Sequence, residues 1–146
     1  MTNTCLLAAA ASSAIAAFLH LGCIVFGPSW YRFFGAGERM ARLSAAGHIG
    51  PALVTVVIAA VLFAWSFYAL SGAGVIERLP LVRSVLCLIT GVYVVRGIAG
   101  FALALVAPGD HGLAFWCWSS AICLAIGGLH FAGTWQAWPR LSEGLG

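Results

Sequence analysis

IGPALVTVVIAAVLFAWSFYALS, residues 49–71, carries no charged side chain. About 20 apolar residues of helix cross the roughly 30 Å hydrocarbon core of a bilayer. In lipid every backbone N–H and C=O must be met within the segment, so this stretch is a transmembrane helix. Three further apolar segments flank it, at about 6–26, 81–106 and 113–135. Breakers separate them: Gly27-Pro28, then Ser71-Gly72-Ala73-Gly74 with Glu77-Arg78-Leu79-Pro80, then Pro108-Gly109-Asp110-His111-Gly112. The fold class is therefore all-α, an integral membrane four-helix bundle. Residues 1–146 form a single transmembrane domain.

Composition agrees. The 146 residues are 62% hydrophobic and 8% charged, and mean hydropathy is +1.03. Soluble domains are about 25% charged. A net charge of +3, carried by dispersed arginines without lysine, excludes a nucleic-acid partner and leaves membrane lipid as the expected environment. The five cysteines lie in or beside apolar segments without a Cys-x-x-Cys pair, so neither a disulfide framework nor a metal site is expected. Met1-Thr2-Asn3-Thr4 lacks the basic start of a signal peptide, and the first apolar stretch reads as a retained helix.

Four spans place both termini on one side, face X, and the first and third loops on face Y. Loop arginines number three on each face (Arg78, Arg83 and Arg140 on X; Arg32, Arg39 and Arg42 on Y), so charge does not orient the chain. The segment Ser29–Arg42 is rich in aromatics and arginines and reads as a short interfacial segment between helices 1 and 2.

Each span has a small or polar stripe at helical spacing. The stripes are Cys5, Ala9, Ser12, Ala16, His20 and Cys23; His48, Pro51, Thr55, Ala59, Ser66 and Ala69; Thr90, Tyr93, Arg96, Gly97 and Gly100; and Trp116, Ser119, Ser120, Cys123, Gly127, His130 and Thr134. Such stripes serve helix–helix contacts in lipid. Gly97, Gly100, Gly127 and Gly128 also suit assembly into a homo-oligomer.

Arg96 exceeds what packing needs. It lies about 15 Å from the face-Y end of its span, where a charge costs roughly 2.5–3.5 kcal/mol. No carboxylate lies inside any span, so its partner is Glu38 or Asp110 from a face-Y loop, or a bound anion. A buried pocket of Arg96, Tyr93, His20 and His48, covered by the Trp30–Arg42 loop, suits a small amphiphilic or anionic ligand. His130 lies toward face X, too far to join it. Haem b would need His20 and His48 inside the bundle at one depth, but His48 begins its helix, so no haem and no other cofactor is expected.

Two resemblances accompany this reading. Glu38-Arg39-Met40-Ala41-Arg42 resembles the Glu-Arg-x-x-Arg motif before the second span of the MAPEG-type membrane proteins, four-helix trimers that handle glutathione. The family's following Asn and second Glu are missing, since Ala45, Ala46, Gly47 and His48 stand there. The resemblance implies a glutathione-dependent enzyme with Glu38, Arg39 and Arg42 at its site. Phe26–Glu38 resembles a segment of small inner-membrane proteins of proteobacteria, which implies a multi-pass inner-membrane location and no particular activity. The leading expectation is a non-enzymatic binder or conduit. The alternatives are the glutathione enzyme and a structural subunit of a membrane complex.

Overall fold

The computed structural model describes residues 2–106, 109 and 112–142. Among them are six helices and no strand: α1 Thr4–Phe26, α2 Pro28–Phe33, α3 Glu38–Ala45, α4 Gly50–Ala73, α5 Val82–Val106 and α6 Gly112–Ser142. The four long helices, of 23, 24, 25 and 31 residues, are each long and apolar enough to cross a membrane. The chain is a multi-pass membrane protein of the all-α bundle class. Its outward faces carry residues such as Val25, Leu105 and Val106, each more than three-quarters exposed, which lipid covers.

The breakers act as their chemistry dictates. Asn3 caps α1, its Oδ1 accepting from Leu6 N at 2.9 Å. Gly27, at φ +73°, ends α1, and Pro28 opens α2. The expected interfacial segment is two short helices, α2 and α3, joined through Gly35 and Gly37 in the left-handed region.

The main interfaces are α1 with α4 and α5 with α6. Contacts of α1 with α6 and α4 with α5 close the ring, and α1 faces α5 across the bundle axis. The half near face X is tightly stitched. Asn3 Nδ2 donates to Gly133 O (3.2 Å) and Gln136 Oε1 (3.1 Å), and Asn3 N donates to Ala73 O. Ser71 Oγ donates to Glu77 O, and Leu79 N donates to Ser71 Oγ. Leu6, Leu86 and Ile89 are fully buried there. Gly133 makes room for Leu6, since a Cβ on it would stand 2.6 Å from Leu6 Cγ.

Three expectations change. Helix α6 runs on to Ser142 with Pro139 in its last turn, past the expected end near residue 135. Proline there forfeits the bond its missing N–H would donate to the carbonyl four residues back, and the helix runs on only a few residues past it. His130 is consequently twelve residues from the end (142 − 130) and lies at mid-depth, not toward face X. In α1 the buried serine is Ser13; the Ser12 hydroxyl bonds back to Ala8 O at 2.8 Å. Finally, Gly97 and Gly127 seat Leu124 and Val94 within the α5–α6 interface of one chain, while Gly128 faces open space. In α4 the stripe holds at Pro51, Thr55, Ala59, Ser66 and Ala69, which are buried, but not at His48, which is exposed before the helix.

Candidate functional site

One residue from each long helix meets at mid-depth. Tyr93 of α5 stacks on His130 of α6, with ring centroids 5.6 Å apart and planes 19° apart. Trp65 of α4 packs edge-on to Tyr93 at 5.2 Å. Tyr93 Oη lies 3.2 Å from Ser13 Oγ of α1, which lies 3.4 Å from His130 Nε2. His130 is fully buried, and its Nδ1 has no hydrogen-bond partner among the described residues.

From this layer toward face Y a cavity of about 350 Å³ opens in the bundle, while α5 and α6 stay in close contact beside it. Its walls include His20, Leu62, Arg96 and Cys123, and Phe34 and Phe115 stand at its face-Y end. The α2–α3 segment is held over it by ring contacts. Gly35 presses on Phe115 so closely that a Cβ there would overlap the ring, and Gly22 receives Trp30 in the same way. Tyr31 is buried with its hydroxyl 3.2 Å from Thr55 Oγ1 of α4.

Arg96 is exposed rather than enclosed, a correction to the expectation of a buried guanidinium. It stands at the rim of the cavity, 5.4 Å from the centre of the Trp116 ring. Its Nη1 reaches the place a Cβ of Gly100 would take, one turn nearer face Y. Its depth follows from lengths. Helix α5 is ~37 Å long and exceeds a ~30 Å core by ~4 Å at each end, so the Arg96 backbone is ~11 Å below the boundary. The reach toward Gly100 leaves the guanidinium ~5 Å deep.

His20 Nδ1 lies 2.7 Å from Ala16 O. A carbonyl only accepts, so that nitrogen carries a proton. The cavity thus combines a guanidinium, a phenol and an imidazole with apolar walls.

Of the residues singled out from sequence, Arg96, Tyr93 and His20 share this cavity. His48 is exposed before α4, and Arg39 is exposed on α3; neither lines it. Glu38 pairs with Arg32, Oε2 to Nε at 2.8 Å and Oε1 to Nη2 at 3.0 Å, on the exposed surface. Those hydrogen bonds hold the Glu38 carboxyl below its usual 4.5. It is the one ion pair among the described residues, and Glu38 is not the partner of Arg96. Asp110 lies outside the described residues. Sequence reading missed Ser13, Trp65, His130 and Phe115 as neighbours of the site. A tryptophan at mid-span, far from either interface, was the one available signal.

No family model matches this chain, and neither a curated protein nor a solved structure is similar to it.

Proposed function

We propose that the protein binds or passes a small amphiphilic, anionic ligand in the cavity of Arg96, Tyr93 and His20, in a bacterial inner membrane and without catalysing a reaction. The observation that carries this reading is Arg96 itself. Its guanidinium stands at the rim of an apolar cavity, and no carboxylate of the described residues pairs with it. A charge below the hydrocarbon boundary is stabilised by a counter-charge, and a carboxylate or phosphate matches the guanidinium fork. A cavity of about 350 Å³ suits a small organic molecule. Assembly into a homo-oligomer accompanies the proposal. Gly91 and Gly128, exposed on α5 and α6, allow close helix approach between copies.

The test is native mass spectrometry of gently extracted protein, comparing the parent with Arg96→Met, Glu38→Gln and Asp110→Asn. The parent and the Glu38 variant should retain an anionic amphiphile that Arg96→Met loses. If Asp110→Asn destabilises the protein as much as Arg96→Met and no anion is ever retained, the loop acid is the partner and the proposal falls.

A further inference from the structure

A groove adjoins the cavity. A second apolar pocket of about 300 Å³ lies between α1 and α6. It shares Ala16, Leu19, Ile122 and Ile126 with the Arg96 cavity and continues along the helices to Ile15 and Leu129. Ile15, Leu19 and Ile122 are exposed on the outside of the bundle, so the groove opens to lipid. Ser12 also lines it, but its hydroxyl is bonded to Ala8 O. The groove is therefore a surface for hydrocarbon. From Leu19 to Ser12, and from Ile122 to Leu129, it runs ~10 Å from the cavity toward face X.

We infer that the ligand is a single-chain amphiphile drawn sideways from the face-Y leaflet. Its anionic head meets Arg96, and its tail leaves the bundle through the groove between α1 and α6. This rests on the reading of the Arg96 cavity given above and adds the ligand's class, its route and its posture. Two features support it beyond continuity. The guanidinium lies ~5 Å under the face-Y boundary, and the groove descends from there toward mid-membrane. A leaflet lipid already stands that way up, so it enters without turning over. Lipid tails are as apolar as the groove, so the tail gains little by moving into it. Selectivity then resides in the head, and chain length alone has little effect on affinity from a bilayer.

The posture is tested by photolabelling. The full chain in lipid nanodiscs receives hexadecanoate carrying a diazirine near its methyl end, and labelled peptides are mapped. Labelling is expected on residues 12–19 of α1 and 122–129 of α6. Excess hexadecanoate or hexadecyl phosphate should suppress it, and whichever competes better identifies the head. A hexadecyl trimethylammonium cation should not compete. Arg96→Met should reduce groove labelling at least tenfold. Ala125→Phe, which fills the groove from an exposed position, should do the same and is informative even if Arg96→Met does not fold. Labelling spread over other outer faces, with retention of the acid still dependent on Arg96, would overturn the groove and leave the cavity reading standing. Groove labelling unchanged in Arg96→Met, or equal competition by the cation, would overturn the placement of the head and the cavity reading with it.

Discussion

Gly100 gives the sharpest test of the α5–α6 contact that forms one wall of the site. A Cβ built on it would stand 2.1 Å from Ser120 Oγ, 2.6 Å from Arg96 Nη1 and 3.4 Å from Ser120 Cβ. The guanidinium is the far end of a flexible chain and moves aside at little cost. Ser120 is fully buried, and its hydroxyl has no hydrogen-bond partner among the described residues. Gly100→Ala must therefore push α5 from α6 by more than 1 Å or turn the serine, and overpacking of this kind costs about 1–3 kcal/mol. In water the better helix propensity of alanine would offset up to about 1 kcal/mol. In lipid the backbone is helical before and after the helices pack, so little of that gain is realised. The expected loss is about 1–2 kcal/mol. Ser120→Ala removes a partnerless buried hydroxyl and should be neutral or stabilising by up to about 1 kcal/mol. In the double variant the nearest remaining fixed atom is at ordinary contact distance, so stability should return to within about 1 kcal/mol of the parent. The assay is reversible unfolding in mixed micelles, titrated with dodecyl sulfate and followed by tryptophan fluorescence, as a double-mutant cycle. A Gly100→Ala protein as stable as the parent, or a Ser120→Ala change that fails to rescue it, would refute the packing described.

The same titration should separate the members of the mid-depth layer. Ser13→Ala strands both Tyr93 Oη and His130 Nε2 and should cost about 1–3 kcal/mol, whereas Tyr93→Phe keeps the Ser13–His130 contact and should cost about 0.6–1.5 kcal/mol. Equal losses would count against Ser13 as the bridge. For Glu38 the sign follows from its lowered pKa: the contribution of its pair with Arg32 is fully present above 4.5 and is lost as pH falls through the lower folded value. Carbon NMR of the Glu38 carboxyl should show that midpoint below 4.5, rising toward the ordinary value in Arg32→Gln. In a cysteine-free background, Thr2→Cys and Ser142→Cys should label from one side of the membrane and Ala36→Cys from the other.

Much of the architecture is legible in the residues because lipid imposes a simple rule. A segment such as 49–71 has no alternative to a helix, and the turns fall at glycine and proline. Within α4 the small face is also legible, since Val, Ile and Phe fill the remaining positions. Helix α1 is different. Ala8 to Ala11, Ala14, Ala16 and Ala17 give it two nearly equal small faces, and periodicity cannot choose between Ser12 and Ser13. The partners α4 and α6 make that choice, and they lie far away in sequence. The end of α6 is not legible, because apolar character fades after Trp135 while the backbone continues through Pro139, and the mid-depth position of His130 depends on that continuation. Arg96, Tyr93 and His20 could be grouped by depth alone. Which side of α5 the guanidinium takes depends on Gly100, Trp116 and Ser120 together, and spacing within one helix does not contain that.

The two halves of the bundle differ in how they are held, and the difference accounts for where the cavity lies. Lipid gives helices no hydrophobic reason to associate, so they stay together through close packing and hydrogen bonds between them. Near face X both are abundant. Asn3 ties α1 to α6 and to the end of α4, Ser71 ties α4 to the following turn, and Gly72 and Gly133 let Leu6 and Leu86 interlock. Toward face Y the large side chains Trp65, Tyr93, Phe34 and Phe115 stand around a space that they do not fill. Hydrogen bonds between the long helices reach no farther from face X than the contact of Ser13 with Tyr93 and His130 among the described residues. Beyond it α5 and α6 stay packed at Gly97 on Leu124 and Gly100 on Ser120, and the segment of α2 and the loop after it holds the rest, through Tyr31 on Thr55, Trp30 on Gly22 and Gly35 on Phe115. A bundle selected for rigidity alone would extend the stitching to both ends. Here the stitching stops at the floor of the cavity, and the polar groups above it, Arg96 and His20, face a space instead of each other.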